Sequence, residues 1–202
     1  KMKITPTIYE VTPKENDENK QARLLLTLFE KKRYAVFLKT RQWFKEKYPK
    51  TEYNEIVDYM TADVNLALWQ DEGRIQNFDE AIQQYKEAIE KYPKSPLAER
   101  TSLRIGYLTL ERGDFLGALR LFNDHIENKN FAKDAISKDL ASLGSAMAFS
   151  KLNKWQDAIA KYDEVEKTST NRDMKVEAAY RRGDVLVRAK NYPKAVSEYQ
   201  KA

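Results

Sequence analysis

Residues 106–122 read GYLTLERGDFLGALRLF, and this stretch decides the fold. Phe115, Ala118 and Phe122 stand at offsets of three, four and seven, so they share one face of an α-helix. Gly113-Asp114 just before them supplies a flexible turn and then a helix N-cap. The triplet recurs as Phe78, Ala81, Tyr85, as Trp155, Ala158, Tyr162, and as Tyr192, Ala195, Tyr199. Copies follow one another at 37 to 40 residues, and Tyr-Pro-Lys at 48–50 returns 44 residues later at 92–94. A face repeated at such a period predicts a stack of similar helical units rather than a single-core enzyme.

Composition agrees with helices that have wide solvated faces. Of the 202 residues 33% are charged, and only 6 Gly and 6 Pro are present, too few for a β-sandwich rich in turns. The net charge is +5, but lysines and glutamates interleave, as at Lys86, Glu87, Glu90 and Lys91. That mixture reads as helix-surface ion pairs, each contributing a few tenths of a kcal/mol, and not as a basic arm for nucleic acid. There are 0 Cys, which removes disulfides and thiolate chemistry. No apolar run approaches the roughly 20 residues that span a bilayer.

Residues 1–17 read as an extended segment or the end of an upstream domain, with Ile4, Ile8 and Val11 among Thr and Pro. From there to 202 the pattern is helical, in units at about 18–51, 62–95, 99–132, 139–172 and 176–202, the last one truncated. Gln76-Asn77, Asn153-Lys154 and Asn191 are expected to form the tight turn of their units, just ahead of each marker aromatic. The helical period of Glu52–Thr61 is expected to lengthen the first helix of the second unit by two or more turns.

These markers resemble the tetratricopeptide repeat. Phe78, Ala81, Tyr85, Ala88 and Pro93 match its second-helix pattern in full, and Gly106, Ala146 and Gly183 match its small first-helix residue. The first unit is degenerate, with Phe37 in the Ala slot and Arg41 in the second aromatic slot. Trp69 stands where a small residue is usual. The resemblance implies an all-α, right-handed α-solenoid of about five antiparallel helix pairs. The irregular spacing and the Tyr92–Glu99 turn look like repeats of bacterial periplasmic and outer-membrane assembly lipoproteins, which points to a periplasmic or outer-membrane-associated protein, with the cytoplasm as the alternative.

A search for chemistry finds little. The absent Cys excludes a Cys-His pair, and the single His, His125, reads as a packing residue with no catalytic partner in the sequence, so no Ser-His-Asp triad is expected. No phosphate loop, dinucleotide fingerprint, His-Glu-x-x-His or calcium loop is present, so no cofactor or metal is expected and the chain is read as no enzyme. What remains is a surface. The resemblance implies that first helices line a concave groove, and the residues in those positions are Trp69, Arg74, Arg100, Leu103, Arg104, Tyr107, Leu110, Met147, Tyr180, Arg181 and Arg188, with Leu66, Gln70, Leu143, Glu177 and Asp184 beside them. A strip of apolar residues and arginines suits a protein or peptide ligand with an apolar segment and acidic flanks. Leu103 and Tyr107 fill slots where chaperone-tail clamps of this family carry Lys and Asn. The expected role is a protein-binding scaffold, with self-association through an uncovered last helix as a further expectation. Two alternatives stay open: a binder of anionic polymer, nucleic acid or glycan, and a helical accessory region of a larger enzyme.

Overall fold

The computed structural model describes residues 8–12, 14–73, 75–131 and 135–201. It is all-α, with ten helices among the described residues in sequential antiparallel pairs. They are α1 (Asp17–Glu30) with α2 (Tyr34–Lys47), α3 (Asn54–Glu72) with α4 (Ile75–Lys91), α5 (Pro96–Arg112) with α6 (Phe115–Glu127), α7 (Ala135–Lys151) with α8 (Trp155–Thr168), and α9 (Arg172–Arg188) with α10 (Tyr192–Lys201). Two compact units divide the chain, residues 1–97 and 98–202.

Most marker residues are core on α4, α6 and α8, whereas on α10 only Ala195 is buried and Tyr192 and Tyr199 are exposed. Phe78, Ala81, Tyr85 and Ala88 are buried on α4, Ala118 and Phe122 on α6, and Ala158, Tyr162 and Val165 on α8. Helices approach to about 8–10 Å only where one contact residue is small. Phe122 shows how this works. Its ring lies against Gly106 of α5 and Gly144 of α7, and a Cβ on either glycine would overlap the ring. One aromatic therefore joins its own pair to the next. Gly183 of α9 stands in the same relation to Tyr199 of α10.

Among the described residues, the tight turn inside each pair contains one with a left-handed backbone: Lys32, Gly73, Gly113, Asn153 and Lys190. In four of them the next N–H bonds back five residues, as in Arg33 to Leu28, Asp114 to Thr109, Lys154 to Phe149 and Asn191 to Leu186. This is the Schellman closure, which satisfies carbonyls that the ending helix leaves open. Asp114 then caps α6 by accepting from the Gly117 N–H at 2.8 Å. In the second pair the turn lies at Gly73 and α4 already begins at Ile75. The break expected at Gln76-Asn77 is therefore helix, because the left-handed glycine sits earlier than the marker aromatic suggests.

In the first unit α3 begins at Asn54, so the periodic stretch before Thr61 is its first two turns. Phe37 is buried although it fills a slot that suits Ala; its ring tilts against Phe29 of α1 at 6.4 Å. Trp69 stacks edge-on over Phe78 of its own pair at 4.7 Å.

Candidate functional site

In the second unit the first helices form a layer. Helices α7 and α9 touch directly, and the Tyr107 hydroxyl of α5 donates to the Leu140 carbonyl of α7 at 2.6 Å. The second helices pack behind that layer, α6 and α8 on α7, and α8 and α10 on α9. The expected groove residues divide into those that reach its surface and those that hold it together.

Tyr107, Leu110 and Leu143 are buried, and burial pushes the Tyr107 phenol up from its usual range. They pack within the layer and present little surface to a ligand. Leu103, Arg104 and Met147 are half-buried, whereas Arg100 and Arg188 are exposed. The accessible cluster is on α9 and α10. Tyr180 is 52% exposed and its ring meets that of Tyr199 at 5.5 Å with a tilt of 51°. Val176, Glu177, Tyr180 and Tyr199 line an open concavity of ≈ 500 Å³. Glu177 accepts from Arg181 Nε at 2.5 Å, one helical turn away, and Asp184 accepts from the Tyr199 hydroxyl at 2.7 Å. The bond to Asp184 is the main cause that pushes the Tyr199 phenol up to about 12, so it stays protonated at any ordinary pH. The result is an apolar slot beside the paired rings of Tyr180 and Tyr199, with Arg181 and two engaged carboxylates next to it.

Sequence reasoning placed Tyr180, Arg181 and Glu177 on this face but missed Val176 and Tyr199. Tyr199 carries the packing-marker pattern, and only its 37% exposure shows that it also lines the slot. In the first unit Leu66 is buried, Trp69 is half-buried over Phe78, and Gln70 is exposed. Arg74 lies outside the described residues.

His125 is 2% exposed and takes no part in this surface. Its Nε2 stands 2.9 Å from the Ser137 hydroxyl, and its Nδ1 has no hydrogen-bond partner. Burial pushes it down to about 4. Unfolded chains take up a proton at this side chain below pH 6.5, and the folded chain does so only near pH 4. The stability it contributes is thus complete above pH 6.5 and is lost as pH falls toward 4. Urea titrations should show a loss of about 1–3 kcal/mol over that window in the unmodified chain that is missing in His125→Gln. Equal pH profiles for the two proteins would refute a neutral, buried imidazole.

Among the described residues no group of three or more His, Asp or Glu side chains is placed to hold a metal ion, and no helix is long and apolar enough to cross a membrane.

Solved structures share this fold at low identity. MamA from Desulfovibrio magneticus RS-1 is 13% identical, with a TM-score of 0.61 over 92% of this chain and 93% of its own. A putative kinesin light chain of Podosopora anserina with nearly identical TPR-like repeats is 12% identical, with a TM-score of 0.61 over 93% and 94%. PilW, a widely conserved type IV pilus biogenesis factor, is 14% identical, with a TM-score of 0.58 over 92% of this chain and 76% of its own. No curated protein shows a significant sequence match. A tetratricopeptide repeat family model matches residues 66–134 and 143–202, well over half of the sequence. With the helix pairs, their small contact residues and their marker aromatics, that match means that this chain belongs to the tetratricopeptide repeat family.

Proposed function

We propose that the chain is a non-catalytic scaffold that holds a peptide or helix of a partner protein on the α9–α10 end of its first-helix face. The observation that carries this is the Tyr180–Tyr199 slot, open, apolar at its walls and charged at its rim. Tyrosines offer large contact area at low entropic cost, and Arg181 gives a partner carboxylate a planar donor pair. The partner expected is an apolar side chain, aromatic or long aliphatic, with acidic residues beside it. Members of this family typically serve as protein–protein interaction scaffolds, and the slot is where this chain would do so.

Tyr180→Ala tests the reading, because that side chain is largely exposed and its loss leaves the fold intact. Against an array of peptides with one apolar anchor and acidic flanks, the unmodified chain should capture a subset. Tyr180→Ala should weaken that capture at least tenfold, or about 1.4 kcal/mol. Capture unchanged in Tyr180→Ala sinks the slot as the site. Binding that collapses with salt and ignores the apolar anchor favours an anionic polymer instead. We also propose a bacterial envelope setting, periplasmic or outer-membrane-associated, supported by the resemblance of the Tyr92–Glu99 turn to envelope lipoprotein repeats. Fractionation of the source cells decides between that and the cytoplasm.

A further inference from the structure

The first unit carries something on its first-helix face already. Residues 8–12 have no regular secondary structure, and they run along the trough between α1 and α3. Tyr9 packs edge-on against Phe29 near the end of α1, with ring centroids 5.6 Å apart, and its hydroxyl donates to Asp63 Oδ2 of α3 at 2.5 Å. The other Asp63 oxygen accepts from the Tyr85 hydroxyl of α4. At the start of α1, Asn19 grips the far end of the segment. Its Nδ2 donates to the Thr12 carbonyl at 2.6 Å and to the Tyr53 hydroxyl at 2.8 Å, and its Oδ1 accepts from the Lys14 N–H at 3.0 Å. Lys14 closes the strap with an ion pair to Glu52.

The repeat register says what this trough corresponds to. Asn19 and Asp63 are 44 residues apart, the same step that separates Pro49 from Pro93. Continuing by the marker steps of 37, 40 and 37 leads from Asp63 to Arg100, Leu140 and Glu177. Phe29 falls in register with Leu110 by the same steps. Arg100 is exposed and Glu177 lines the concavity on α9, so the Asn19 and Asp63 positions answer to the accessible side of a first helix in the second unit and the Phe29 position to its buried side. The segment is seated in the trough and not laid over it, since Tyr9 is itself buried, at 6% exposure.

We propose that the trough between α1 and α3 is a binding site for an extended, tyrosine-bearing segment, and that residues 8–12 are its resident, displaceable ligand. The chemistry is specific. Asp63 is only 6% exposed, and a carboxylate held out of water needs donors. A phenol that stacks on Phe29 and reaches Asp63 satisfies both the apolar wall and the oxygen. Being tethered, the resident segment acts at an effective concentration on the order of millimolar, so a competitor of equal chemistry succeeds only at a similar concentration or with additional contacts. The site is separate from the α9–α10 slot, and either can stand without the other.

The experiment uses the full chain and exploits its 0 Cys. A spin label is placed at Glu10→Cys, an exposed position on the segment. In the otherwise unmodified chain the label should tumble with the protein. A freely mobile label overturns the proposal at once. Millimolar addition of a peptide with residues 6–14 (PTIYEVTPK) should raise the mobile fraction severalfold, and the same peptide with Tyr9→Ala should not. If the two peptides act alike, or neither releases the label, the segment is fixed structure and not a displaceable ligand. A second arm reads binding in trans. A Tyr9→Ala chain, shown by circular dichroism to be folded, should take up the fluorescent peptide at least tenfold more tightly than the unmodified chain does. Adding Asp63→Asn should reverse most of that gain; equal uptake by all three proteins overturns the assignment of the site.

Discussion

Phe122→Ala is expected to destabilise the second unit by about 3–5 kcal/mol, the cost of removing a fully enclosed aromatic from a core that cannot collapse around the space. The ring is completely buried, and it is shared: Tyr107 of α5 stacks on it at 4.9 Å while Gly106 and Gly144 press on it from α5 and α7. Neither glycine is there for backbone freedom, since both lie inside regular helix; each is there because the ring occupies the volume of its missing Cβ. Gly144→Ala alone should therefore cost about 1–3 kcal/mol by overpacking, although alanine is the better helix former. The two substitutions together should cost clearly less than their sum, because the methyl fills part of the space that the ring vacates. Chemical denaturation of the four proteins of this cycle measures it. Additive costs would mean that ring and glycine do not share the contact.

Arg182→Leu should come next in size, at about 3 kcal/mol. Arg182 is 5% exposed and engages carboxylates from two neighbouring helices. Its Nε donates to Glu198 of α10 at 2.9 Å, its terminal nitrogens pair with Glu198 and Asp163, and one of them reaches Glu166 at 2.6 Å. Removing the guanidinium takes away the cation that the three carboxylates share, and Glu198, the least exposed of them, loses most by it. The loss stays toward the lower end of the range for buried pairs because Asp163 and Glu166 keep contact with water. Hydrogen exchange should show its effect concentrated on α10, which this network ties to α8 and α9. Pairing the change with Glu198→Leu should restore part of the stability, since an apolar pair in that place carries no desolvation cost. Unchanged exchange of α10 amides in Arg182→Leu would show that packing of Ala195 and Tyr199 alone holds the helix.

The second helices were legible in the sequence because their core is a one-sided stripe, and period alone locates a stripe. Phe78, Ala81 and Tyr85 are all buried as their spacing requires. First helices are harder. On α5 nearly every residue from Thr101 to Leu110 is buried or half-buried, since neighbours cover several faces. Register named the side on which Tyr107 and Leu110 lie, but burial by the adjacent first helix is a tertiary property, and no periodicity records it. The same limit holds for Trp69, expected in the groove, whose packing against Phe78 shows only in three dimensions. The Tyr180–Tyr199 slot was half legible, with Tyr180 named by register and Tyr199 hidden behind its marker role. The Tyr9–Asp63 contact was not legible at all. It joins residues 54 apart in sequence, and nothing local to either one anticipates the other.

Of the left-handed residues in the five tight turns, two are glycine, one is asparagine and two are lysine. A lysine in that conformation costs roughly 1–2 kcal/mol relative to an ordinary backbone, and yet Lys32 and Lys190 close their turns with the same five-residue bond as Gly113 does. Pairing geometry is therefore dictated by the packed helix faces, and the turn conforms to it. A joint that carries so little of the specification is free to drift under mutation. Each pair is thus a hairpin whose two arms recognise each other and whose bend is interchangeable, so that one turn residue can stand in for another without moving the helices it joins.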